Sequence, residues 1–140
     1  MTVALVSLDG VAKLAAIATR LVQETPAPEP ASVCLTPGTS SISIQPSVGN
    51  DPVTVIGSLL IWTHSLTGLH GDWWRTAHGT LHITLRGRGP SGSRVCVYDA
   101  FPYSIARRYI TLRKGDHETV TPDELYLLAL EIAKQKENGQ

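Results

Sequence analysis

Over residues 80–99 apolar and polar positions alternate in two runs. Leu81, Ile83 and Leu85 alternate with His82, Thr84 and Arg86, and Val95 and Val97 alternate with Arg94, Cys96 and Tyr98. A period of two sends successive side chains to opposite faces of a strand, so the runs predict a β-hairpin with one apolar face and one basic, hydrogen-bonding face. Residues 87–93 between them hold three glycines and a proline. That is too long for a two-residue turn and too irregular for a regular element, so a mobile loop is expected.

The rest of the chain supplies the layers around this hairpin. Val11, Leu14, Ala18 and Leu21 recur at helical spacing, predicting a helix from a cap at Ser7 to about Glu24. Pro26, Pro28 and Pro30 then make residues 25–31 a stiff extended connector, without the PxxP spacing of a proline-rich ligand motif. Residues 31–36 and 41–45 alternate again, with Val33, Leu35, Ile42 and Ile44 inward, and Pro37-Gly38 predicts a type II turn between them. After a loop over residues 46–50, Asn50-Asp51-Pro52 opens a helix of residues 52–66 that carries no charge, with Gly68 as its stop. Its stripe of Val55, Leu59, Trp62 and Leu66 is widened by Ile56, Leu60 and Ile61, so it is expected to be covered on more than one side, by the sheet and by a second helix or a second subunit. A strand over residues 53–62 is the alternative, because Val-Thr-Val-Ile favours extended backbone. Residues 67–77 read as a loop, residues 108–112 as a further strand and residues 114–116 as a turn. Thr121, Pro122 and Glu124 form a capping box ahead of a last helix with Leu125, Leu128, Ala129 and Ile132 inward, fraying over residues 134–140. The expectation is one α+β domain over residues 1–140, two-layered, of order α-β-β-α-β-β-β-α, with an antiparallel sheet and helices chiefly on one face.

Charge changes this picture locally. Twelve basic and twelve acidic residues cancel, which argues against a generally basic nucleic-acid coat. Yet residues 75–114 hold Arg75, Arg86, Arg88, Arg94, Arg107, Arg108, Arg113 and Lys114 against Asp99 alone. Two cysteines, Cys34 and Cys96, are too few for a disulfide framework and read as free thiols of a reducing compartment. With no basic leader and no long apolar run, a cytoplasmic protein without a membrane span is expected.

Candidate chemistry is sparse. His64, His70, Asp72, His78 and His82 crowd into nineteen residues, but no ligand motif links them, and His78 and His82 on one strand would stand about 13 Å apart, too far to share an ion. Neither a metal nor a cofactor is expected. A thiol at Cys34 or Cys96 lacks the helix terminus or cation that activates a nucleophile, and no catalytic motif is present, so a metal-dependent or thiol hydrolase ranks third. Binding ranks above it. Trp74 and Arg75, followed by His82, Arg86, Arg88 and Arg94 and then by Arg107 and Arg108, combine a ring with cations, the means of stacking bases and neutralising phosphates, and a basic ribbon can also enter a major groove.

The succession of helix, proline-bearing link, hairpin, uncharged helix ending Ile61-Trp-Thr-His-Ser-Leu66, basic hairpin and Thr121-Pro-Asp-Glu-Leu125 helix resembles the layout of small uncharacterised proteins of actinobacteria and their phages or plasmids. That resemblance implies a bacterial, mobile-element context and assigns no residue a role. The leading expectation is a non-enzymatic binding or assembly protein acting through a protein partner or through self-association of the helix over residues 52–66. The alternative is a nucleic-acid-binding module that uses the hairpin of residues 80–99.

Overall fold

The computed structural model describes residues 8–47, 49 and 51–138. In chain order the elements are α1 (Leu8–Glu24), β1 (Ser32–Thr36), β2 (Ser41–Gln45), α2 (Pro52–Thr63), β3 (Thr67–Arg75), β4 (Thr80–Arg88), β5 (Arg94–Pro102), the single turn α3 (Tyr103–Ala106), β6 (His117–Val120) and α4 (Pro122–Glu137). The strands form one sheet of order β1-β2-β5-β4-β3-β6, antiparallel at every pair except β2–β5. A parallel neighbour needs a crossover. Here α2 and the β3–β4 hairpin intervene, so the return strand β5 enters the middle of the sheet.

The alternation has the consequence expected of it. Ile42 and Ile44 of β2, Leu81, Ile83 and Leu85 of β4, and Val95, Val97 and Phe101 of β5 are buried on one face. Against that face lie Leu14, Ala18 and Leu21 of α1 and Val55, Ile56, Leu59 and Trp62 of α2, all in one core with Leu125, Leu128 and Ile132 of α4. Each large apolar side chain so buried contributes roughly 1.5–3 kcal/mol. The uncharged helix is covered on two sides as its composition requires, by the sheet on one and by α4 of the same chain on the other. Asp51 caps it, accepting from the Thr54 amide at 3.1 Å and the Thr54 hydroxyl at 2.7 Å. The expected caps at Ser7 and Asn50 lie outside the described residues. The buried Asp99 accepts from the Ser47 hydroxyl at 2.9 Å and so ties the approach to α2 onto β5.

Four expectations need correction. Residues 67–75 form a strand, β3, and not a loop; it lies between β4 and β6 and opens with a bulge at Gly68-Leu69, where Gly68 takes φ +62. Residues 108–112 are not a strand. The Tyr103 hydroxyl donates to the Ile110 carbonyl at 2.8 Å and accepts from the Leu112 amide at 3.0 Å, so a side chain replaces the ladder partner and pairing resumes only at β6. The turn after β1 is a 3-10 turn over Pro37–Thr39 with Ser40, not Gly38, in the left-handed region at φ 51. The uncharged helix stops at Thr63, whose hydroxyl bonds back to the Leu59 and Leu60 carbonyls at 3.1 Å, one turn short of Leu66. At the other end of the chain the capping box is formed: Thr121 Oγ1 accepts from the Glu124 amide and Glu124 Oε1 from the Thr121 amide, both at 3.1 Å. α4 stays helical through Glu137, where Lys136 forms an ion pair with Asp51. No described helix is long and apolar enough to cross a membrane.

Candidate binding face of the sheet

All the packed helices lie on one side, which leaves the second face of the sheet bare. Strand register sorts its side chains into rows across the strands. The first row runs Ser41, Arg94, Arg88, Thr67, and the second Cys34, Ser43, Cys96, Arg86, His70. The third runs Tyr98, Thr84, Asp72, Thr119, and the fourth Ala100, His82, Trp74, His117.

The first two rows form a groove of about 580 Å³, lined by Ser41, Ser43, His70, Arg86, Arg88 and Arg94 with Cys96 between them. The hydroxyls come from β2 and reach the arginines only because β2 runs parallel beside β5. The bulge at the start of β3 restores the register so that His70 stands opposite Arg86. Within the groove Arg86 Nη1 donates to Asp72 at 3.3 Å and Arg88 Nη1 to the Gly92 carbonyl at 3.2 Å. Arg88 and Arg94 stand directly opposite each other across the hairpin. Two like charges facing across an antiparallel pair destabilise it, and the acid on this face, Asp72, is engaged by Arg86 instead. The connection over residues 87–93 is held closed by Ser93, buried, whose hydroxyl donates to the Pro90 carbonyl at 2.8 Å.

Three rings stand upright in the fourth row. Trp74 lies between His82, at 4.9 Å between centroids and 13° between planes, and His117, at 5.2 Å and 9°. Strands β4, β3 and β6 thus each contribute one ring to a continuous stack on the bare face.

Of the eight residues singled out by sequence, Arg86, Arg88 and Arg94 converge in the groove, and Trp74 and His82 share its face. The other three do not join them. Arg75 points to the covered side, where its guanidinium lies 4.4 Å over the Tyr103 ring and donates to the Leu112 carbonyl at 3.0 Å. Arg107 and Arg108 follow α3, beyond the far end of β5, and Arg108 donates to Gln135 of α4. From Arg94 to Pro102 is eight residues of strand, about 26 Å, so the basic residues of the chain fall into separate places. Nor is the hairpin a free ribbon for a major groove. It is flanked by β2 and β3 in a six-stranded sheet about 24 Å across, twice the width of that groove. His70, Ser41, Ser43 and His117 were not foreseen, because each joins the site through a pairing between distant segments.

Among the described residues no three His, Cys, Asp or Glu side chains are placed to hold a metal ion. His64 caps the end of α2, His78 sits in the β3–β4 turn, and His82 is stacked on Trp74. Burial pushes the Cys96 thiol up, against a smaller downward pull from Arg86 and with an upward push from Asp72, the reverse of what a nucleophilic thiolate needs. Cys34 and Cys96 are both free, with Ser43 between them in the row. Two strand spacings, about 9.6 Å, exceed the Cα separation that a disulfide spans. Comparison of the chain with known protein families, curated proteins and solved structures returns no match.

Proposed function

We propose that the protein is a non-enzymatic binding module that takes single-stranded nucleic acid on the bare face of its sheet. The observation that carries this reading is the facing pair Arg88 and Arg94, set with Arg86 and His70 in a hydroxyl-lined groove on a face that no described helix covers. Such a pair costs stability in the free protein and is compensated when an anion lies between the guanidiniums. Phosphates spaced along a flexible strand meet that need, and the ring stack two rows away suits unpaired bases better than a duplex, whose base faces are hidden.

Fluorescence anisotropy with a mixed-sequence single-stranded oligonucleotide over a salt series tests the proposal. Log affinity should fall linearly with log salt by about 0.7 per phosphate neutralised. Replacing Arg86, Arg88 and Arg94 together by Ala should flatten the slope by about 2. The melting temperature should hardly change, because exposed charges contribute little and the facing pair contributes negatively. No binding by the native protein at low salt would end the reading.

A second reading, assembly through a protein partner, is favoured by one separate observation. Tyr126, Leu127 and Leu130 of α4 are exposed on the helical side, at 55%, 60% and 40%. Self-association there would show as a concentration-dependent mass that Leu127→Glu abolishes.

A further inference from the structure

The sequence points to Trp74 as the residue on which a base would stack, but both faces of its indole are occupied by His82 and His117. The stack continues only from its ends. At one end His117 belongs to β6, an edge strand, with no described strand beyond it. At the other end His82 turns its second face toward β5, and the residue directly opposite is Ala100. A methyl group is too small to cover an imidazole. Along β5 the neighbours of Ala100 on the same face are Tyr98 and Pro102, so the space above Ala100 has a ring floor on one side and a wall at each end. The last pair of β2 with β5 is Ile44 with Val97, and Ser47 beyond it meets β5 through Asp99, whose side chain lies on the covered face, so no described strand pairs with β5 beside Ala100 on that side.

We infer that Ala100 is the floor of a base-stacking slot in which one unpaired nucleobase packs on the free face of His82 and becomes the fourth ring of the stack. This rests on the single-strand reading above and adds where the base sits. Ala100 lies four residues along β5 from Cys96, about 13 Å, and Arg86 is paired with Cys96. A strand whose phosphates lie in the arginine groove therefore runs along the β4–β5 hairpin to reach the slot. Stacking on a side chain is tolerant of base identity because every base has a π-face, so the slot distinguishes a base from no base and not one base from another.

Two probes separate the slot from the groove: a mixed-sequence 12-nucleotide DNA and a fully abasic deoxyribose-phosphate strand of the same length. The native protein should bind the base-bearing strand about ten-fold more tightly than the abasic one at fixed low salt. Ala100→Leu fills the slot and should bring that ratio close to one. His82→Leu should do the same by removing the flat stacking face while keeping Trp74 covered, whereas His82→Phe, which keeps a flat ring, should retain the preference. If Ala100→Leu does not fold, the two His82 variants carry the test. A native ratio near one, or a ratio that survives both Ala100→Leu and His82→Leu, overturns the slot and leaves the arginine groove standing. Binding of neither strand overturns the single-strand reading itself, and the slot with it.

Discussion

Replacing Gly71 by Ala tests the sheet at the place where the ring stack depends on it. Gly71 is paired with Leu85 of β4 on one side and Val120 of β6 on the other. A Cβ added there would lie 2.4 Å from the Val120 carbonyl oxygen and 2.6 Å from Leu85 Cδ2. Leu85 is fully buried and has little room to turn, and the carbonyl belongs to the ladder, so β6 itself must shift. Overpacking of this kind costs about 1–3 kcal/mol. For a chain of this size 1 kcal/mol is worth about 3 °C of melting temperature, which puts the expected fall at roughly 3–10 °C. The internal control is Gly57→Ala in α2, where a Cβ meets nothing within 4 Å. There the helix propensity of Ala should raise stability by up to about 1 kcal/mol, or about 3 °C. Thermal melts followed by circular dichroism read both, and near-ultraviolet signals should change only in Gly71→Ala, because β6 carries His117 onto Trp74. A Gly71→Ala protein that melts within about 1 °C of the native one would refute the pairing of β6 with β3 in this register.

Two further substitutions probe α2. Leu59→Asp, at a fully buried position between the sheet and α4, should prevent cooperative folding, since an unpaired buried charge costs several kcal/mol or more out of a total of about 5–15; a soluble, sharply melting variant would contradict the placement. Asp51 is held down to about 2, first by its bond to Lys136 and then by the hydroxyl and amide of Thr54. Its carboxylate therefore stabilises the fold above about pH 4, the range of the unfolded carboxyl, and loses that contribution as pH falls toward 2. Asp51→Asn keeps a capping acceptor and loses the ion pair, so its melting temperature should lie below native at pH 6 and converge with it by pH 2, whereas a gap constant with pH would reject the linkage. Asp51→Ala also loses the cap and should cost about 1 kcal/mol at neutral pH.

What could be read in the sequence was whatever a local pattern specifies. The β4–β5 hairpin shows because over residues 81–86 and 94–98 every inward position is apolar and every outward one polar, and α4 shows because its capping box is contiguous. β3 obeys the same period and was hidden because, of its inward positions Gly71, Trp73 and Arg75, Trp73 alone is a buried apolar side chain. Gly71 is small so that β6 can approach, and Arg75 is inward because it lies on the ring of Tyr103. The converse holds for residues 108–112, where alternation is present but the backbone is satisfied by the Tyr103 hydroxyl from five residues upstream of the run. For β3 the deciding partners, Val120 and Tyr103, are distant in sequence, whereas for residues 108–112 the partner is near but acts through a side-chain hydroxyl, which a pattern of apolar and polar positions does not register.

The same division applies to charge, and there it bears on function. A net charge of zero argues against general attraction to nucleic acid only if positive and negative groups are mixed over the surface. In the folded chain the cations of residues 86–94 gather on the bare face. The bare face carries Arg86, Arg88 and Arg94 against Asp72, while α4, on the covered side, carries Asp123, Glu124, Glu131 and Glu137 against Lys134 and Lys136. On the proposed reading a polyanion is drawn to the bare face, whereas Arg107 and Arg108, beside α4, offset the acids of the helical side. Screening limits such steering to about 10 Å at 0.1 M salt, so on the proposed reading it acts only near the surface. Neutrality summed over the chain is thus compatible with a bare face that is locally cationic, which is what the proposed reading requires.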